Sequence, residues 1–180
     1  ETDVLVAGEL RQLARRAARA TTRLQALATL HGLKELAEDD LAVALNDPSA
    51  GIRRLAVRFA ESLGTPKGRL KAQVLKCAND SDPKVRLQLA LSLGEWPGRE
   101  FGDALKLLAL RDKADPHVRA AIGSSLIPHF ATVAEALLDI PEYVQSVVLT
   151  AAKDSRRTEL VLRAVAVSYT HLRAHETRPY

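Results

Sequence analysis

The apolar positions of this chain recur in steps of three and four, and four arginines set their register. Counting from Arg23, Arg53, Arg86 and Arg119, the third residue on is Ala26, Ala56, Leu89 and Ile122, and the seventh is Leu30, Ala60, Leu93 and Leu126. Such offsets share one face of an α-helix, so each arginine is expected near the start of a helix with a buried stripe. Arg53, Arg86 and Arg119 are 33 residues apart, and Arg23 lies 30 before Arg53. A period of that length marks a repeat of paired helices.

The turns support the same division. Asp82-Pro83 and Asp115-Pro116 stand just before Val85-Arg86 and Val118-Arg119. Aspartate at an N-cap accepts a bond from a free backbone N–H, and proline at the first helical position has its φ already set. Asp47-Pro48 opens a third copy, but two extra residues precede Ile52-Arg53, so its cap geometry does not follow from the motif. The copy at Arg23 has no Asp-Pro. Helices are predicted at 50–63, 83–95 and 116–127, with shorter ones near 39–46, 67–78 and 100–111. The Glu38-Asp39-Asp40 run suits the positive N-terminal end of the first short helix. Gly64 and Gly94, followed by Pro66 and Pro97, read as helix stops. Beyond Pro128 the pattern is less regular, with helices expected at 131–139, 142–153 and 156–165.

Composition changes this picture little. Leu and Ala contribute 29 residues each, aromatics are 4%, and β-branched clusters are few, which favours an all-α chain. No stretch approaches the length and apolarity of a transmembrane helix. The net charge of +4 is mild for a dedicated nucleic-acid binder. The single cysteine, Cys77, cannot form an internal disulfide and reads as a small buried apolar residue.

The search for chemistry returns little. His31, His117 and His129 have no metal-ligand spacing, Ser124 and Ser125 lack a nucleophile-elbow context, and no phosphate-cradling glycine loop is present. Trp96, before Pro97, reads as a packing residue. The recurring arginines permit two readings: a phosphate-binding ladder, or ion pairs with the motif aspartates Asp47, Asp82 and Asp115 that hold neighbouring repeats in register. The second is favoured, with Pro48, Pro83 and Pro116 as its structural companions. Arg23, Arg54 and Arg58 remain candidates for an interaction surface. Arg11, Arg15, Arg16 and Arg19 form a basic helical run.

The ends carry their own signal. The sequence has no methionine, as expected of an internal piece of a longer protein. From Ala166 it reads Ala-Val-Ser-Tyr-Thr-His-Leu-Arg-Ala-His-Glu-Thr. That run resembles an in-frame translation of a transposon-based sequencing adapter. Residues 166–180 are therefore expected to be a non-native, disordered tail, and the metal-like spacing of His171 and His175 is set aside with it.

Residues 20–127 resemble the HEAT-repeat family, including its short lyase-like repeats, through Asp82-Pro83 with Val85-Arg86 and Asp115-Pro116 with Val118-Arg119. The resemblance implies a right-handed α-solenoid of antiparallel helix pairs over 1–165, less regular over 128–165. It also implies a non-catalytic scaffold that meets a protein partner or neighbouring domains and holds no cofactor of its own. The order of segments from Leu24 to Gly94 is similar to the HEAT segment of bacterial membrane-bound dehydrogenases. There, a propeller-like dehydrogenase domain precedes the repeats and a haem c domain follows, which implies an extracytoplasmic redox setting. Two alternatives stay open: a nucleic-acid-binding HEAT-like protein, as in the alkylpurine glycosylases, and a lyase-like or chaperone-like factor.

Overall fold

The computed structural model describes residues 4–152 together with Leu162 and Ala166. The helix expected at 156–165 and the tail from 166 lie, but for those two residues, outside that part. Among the described residues all regular structure is helical, and it clusters into two compact units, Glu1–Trp96 and Pro97–Tyr180.

The first unit contains α1 (Val4–Arg16), α2 (Ala20–Gly32), α3 (Glu38–Ala44), α4 (Ala50–Ala60), α5 (Gly68–Lys76) and α6 (Pro83–Ser92). Short 3-10 turns, Glu61–Leu63, Cys77–Asn79 and Leu93–Glu95, tighten the ends of α4, α5 and α6. Helix α1 packs on α2 and α3, α3 on α4 and α5, α2 on α4, and α4 on α6. Each helix thus meets the one two places along the chain. The second unit repeats this habit with α7 (Arg99–Arg111), α8 (Pro116–Ser124), α9 (Phe130–Leu138) and α10 (Pro141–Ala151): α7 packs on α8 and α9, and α10 on α8 and α9.

The stripe counted from the arginines is the core. Ala26, Ala56, Leu89, Ile122, Leu30, Ala60, Leu93 and Leu126 are all buried. In the first unit Leu27, Leu41, Ile52, Val57, Leu70, Val74 and Val85 join them, and Trp96 is buried as well. At roughly 25 cal/mol per Å² of apolar surface removed from water, side chains of this size are the main source of stability. Small residues let helices of the second unit come close. A Cβ added to Gly102 on α7 would lie 3.0 Å from the Cβ of Thr132 on α9.

Some boundaries differ from the sequence reading. The helix expected at 116–127 ends at Ser124, and the chain continues as a separate 3-10 turn, Ile127–His129. Pro128 has no N–H to donate to the carbonyl four residues back, so the α-helix cannot run through it. Gly64 ends its turn with φ 79°, as a stop signal should. Gly94 instead sits inside the turn Leu93–Glu95, whose end falls at Trp96.

The end of α2 places its left-handed residue two positions beyond its last residue, Gly32. Past Leu33, the Glu35 amide donates to the Leu30 carbonyl at 2.9 Å and the Lys34 amide to the His31 carbonyl at 3.0 Å. This crossed pair is a Schellman end, which needs a left-handed residue between. Lys34 supplies it with φ 61°. A side chain there costs about 1 kcal/mol relative to glycine. Lys34→Gly is therefore expected to raise unfolding stability by about that amount in urea denaturation; no change would mean that the lysine stem recovers the strain through packing.

Candidate functional site

The recurrent polar residues of the first unit converge on a seam between successive repeats. Arg53, on the first turn of α4, donates from Nε and Nη2 to the two carboxylate oxygens of Asp80, both at 2.7 Å. Its Nη1 donates to the carbonyls of Asp47 at 2.9 Å and Pro48 at 3.2 Å. Arg23 on α2 does the same one repeat earlier. Its Nε and Nη2 hold Asp47 at 2.7 and 2.9 Å, while Nη1 reaches the carbonyls of Ala17 and Ala18 at 2.8 and 3.1 Å. Each guanidinium therefore closes the turn before its own helix and forks onto an acid in the turn of the next repeat. A planar fork of donors matches a carboxylate in two parallel bonds, which a lysine cannot do.

The same backbone contacts recur at the other motif arginines. Arg86 donates from Nη1 to the carbonyls of Asp80 at 2.8 Å and Ser81 at 3.3 Å, and Arg119 to those of Lys113 at 2.8 Å and Ala114 at 3.0 Å. All four motif arginines thus grip the carbonyls six and five residues before them. Elsewhere in the first unit, Asp40 of α3 is buried, at 4% exposure. It accepts from Arg11 Nε at 3.1 Å, Arg15 Nη2 at 2.8 Å and the Ala37 amide at 3.2 Å. Arg11 also donates to the Glu35 carbonyl.

The aspartates divide into two jobs that the Asp-Pro spelling conceals. Asp82 caps α6 by accepting from the Lys84 amide at 2.8 Å, and Asp115 caps α8 by accepting from the amides of His117 at 2.8 Å and Val118 at 3.4 Å. Pro83 and Pro116 open those helices. Neither cap aspartate is the acid held by Arg53 or Arg23. Asp47 is not a cap; Ser49 occupies that position, with no side-chain bond, and Pro48 lies outside the helix. Counted back from the arginines, Asp47 and Asp80 both stand at the sixth place, whereas Asp82 and Asp115 stand at the fourth. Asp80, Asp40, Arg11 and Arg15 are the seam residues that the motif spelling did not single out. Of the three surface candidates, Arg23 is committed to the seam, while Arg54 and Arg58 lie exposed on α4 with no ion pair among the described residues.

Electrostatics follow from the geometry. The Arg53 hydrogen bond holds the Asp80 carboxyl below its ordinary value, outweighing burial, with help from the Asp82 amide and the Arg86 charge. At Asp47, burial opposes the charge most strongly, yet the Arg23 fork, the Ser49 amide and the Arg53 charge together lower its pKa. Burial pushes the Cys77 thiol up to about 12; Asp80 adds to this and Arg53 offsets part of it. Cys77 is 3% exposed, so neither access nor ionisation favours reaction. Among the described residues, no group of three or more His, Cys, Asp or Glu side chains is placed to hold a metal. In the same residues no single helix is long and apolar enough to cross a membrane.

These features give measurable consequences. A carboxylate whose folded pKa lies below its ordinary 3.8 stabilises fully above that value, and the benefit drains away as pH falls through the folded pKa. The melting temperature should therefore fall as pH drops below about 4, with a shallower drop in the Asp47→Asn/Asp80→Asn double variant. An unchanged slope would place the acid sensitivity elsewhere. Cys77 should resist an aromatic disulfide reagent in the native chain at pH 8 and react stoichiometrically in guanidinium; prompt native labelling would contradict its burial. No family model, curated protein or solved structure matches this chain.

Proposed function

We propose that the chain is a non-catalytic helical scaffold of the HEAT type, each unit a right-handed stack of antiparallel helix pairs that holds a protein partner or a neighbouring domain. One observation carries this reading. The polar residues that recur with the repeat are consumed internally, because each guanidinium at Arg23 and Arg53 is spent on a turn behind it and an acid ahead of it. A phosphate-gripping ladder needs those same donors turned outward. The contact order, in which α1, α3 and α5 meet in succession and α2, α4 and α6 do likewise, supports a stack of helix pairs.

On the dehydrogenase-like resemblance, the natural setting of such a module is between a redox domain and a haem-bearing one, with no haem held by the repeats themselves. Sequencing the source gene past the codon for Val165 tests that setting. Further repeats leading to Cys-x-x-Cys-His support it, and a stop after one polar helix removes it.

The scaffold reading itself is tested at Arg53. Arg53→Ala strands the half-buried Asp80 carboxylate and should cost about 2 kcal/mol of stability in urea denaturation. Affinity for random duplex DNA at 50 mM salt should differ by less than twofold between the parent and the variant. A large loss of DNA affinity with unchanged stability would make the arginines a nucleic-acid site instead.

A further inference from the structure

Helix α1 spends one side on its own unit and leaves an apolar stripe on another. Arg11 and Arg15 reach Asp40 of α3, and Ala7 is buried. Turned away from those arginines stand Val6, Leu10, Leu13 and Ala17. Val6 and Leu13 are each 45% exposed, and Leu10 and Ala17 are half-buried. Ala17 directly follows α1, and its amide still donates to the Leu13 carbonyl at 3.1 Å, so the helical path reaches it. Steps of four, three and four residues are those of a seam along which one helix meets another of its own kind.

Charges of opposite sign edge this stripe on one side. Glu9 stands just before Leu10, and Arg16 just before Ala17. Both are exposed, and neither has an ion pair among the described residues. The other edge, Ala7 and Ala14, is uncharged. In a parallel pair of such helices Leu10 meets Leu10, and Glu9 falls beside Ala14, with no charge to match it. In an antiparallel pair with Leu10 against Leu13 of a second copy, Val6 meets Ala17 and Glu9 falls beside Arg16. A twofold axis repeats each contact, so the whole stripe is covered and two ion pairs form together. A slip of one heptad either way sets Glu9 against Glu9 or Arg16 against Arg16.

We propose that α1 is a self-association surface, which pairs antiparallel with α1 of a second copy of this chain about a twofold axis. The inference stands on α1 alone and goes beyond the scaffold reading, which concerns other partners. The 13 residues of α1 give an overlap of about 20 Å, shorter than a standard interface requires. The dimer is therefore weak and reversible, and fills as the chain becomes concentrated. Its apolar layers supply the attraction. The ion pairs, open to water, add little energy, but they select the antiparallel orientation and the register, because every alternative loses them or opposes like charges.

The test is sedimentation equilibrium of the 180-residue chain at low salt, from the micromolar range to about 1 mM, where weak interfaces fill. The mass is expected to rise from one chain toward two. Leu13→Glu, at an exposed position, should weaken association at least tenfold and leave the thermal melt of the dilute chain unchanged. Glu9→Arg and Arg16→Glu each oppose like charges and should weaken it severalfold. An equimolar mixture of these two single variants opposes unlike charges again and should associate as well as the parent, as should the double exchange Glu9→Arg/Arg16→Glu. The proposal is overturned if the chain stays monomeric at about 1 mM, or if Leu13→Glu associates as the parent does. It is also overturned if neither the mixture nor the double exchange restores what the single changes remove. Failure here removes the α1 pairing alone, because the scaffold reading stands or falls on the stability of Arg53→Ala.

Discussion

A guanidinium taken out of water must find acceptors for its donors, and a carboxylate buried beside it must find donors for its oxygens. At Arg23 and Arg53 both requirements are met by the same few atoms. The side chains of Asp47 and Asp80 are 9% and 8% exposed, so their charge is tolerable only because the fork supplies two bonds and a backbone amide supplies a third. An apolar pair of equal volume would hold two helices together as well, but at many registers. The fork accepts only one. The alignment of α2 with α4, and of α4 with α6, depends on that selectivity, and the Leu and Ala stripe supplies the bulk of the energy beneath it.

Much of this was legible in the sequence because the governing periods are short. The core stripe from Ala26 to Leu126 needs only the 3.6-residue helical repeat, and its eight positions are buried where the spacing places them. The Asp-Pro openings at Asp82 and Asp115 are local caps, decided within four residues. The seam was less legible, because Asp80 is chosen by Arg53 from 27 residues away and nothing in its neighbourhood marks it. The motif's spelling even pointed to the wrong acid: Asp47-Pro48 looks like Asp82-Pro83 but stands in the place of Asp80. Only the distance to the following arginine separates the two roles. Lys34 lay beyond reach for another reason, since its left-handed backbone is imposed by the crossed bonds at the end of α2 and not by its own preference.

The first unit also solves the same problem in a second way. Asp40 gathers Arg11 and Arg15 from α1 onto a single acid, and that acid is buried within its helix. Asp47 and Asp80 lie in turns, each facing one arginine. The first arrangement resembles a clamp around a point charge, the second a series of matched forks. Both place positive side chains of one helix against an acid that lies in the helix two places on or in the turn before it.

The main chain of Asp47 and Asp80 adds a further property. Asp47 receives Arg23 through its carboxylate and Arg53 through its carbonyl, and Asp80 receives Arg53 and Arg86 in the same two ways. Polar contacts therefore run without a gap from Arg23 to Arg86, alternating between side chain and backbone. Under tension these links bear load one after another, so parting α2 from α4 breaks one fork and parting α4 from α6 breaks the other. Such a body yields by discrete steps, one fork at a time.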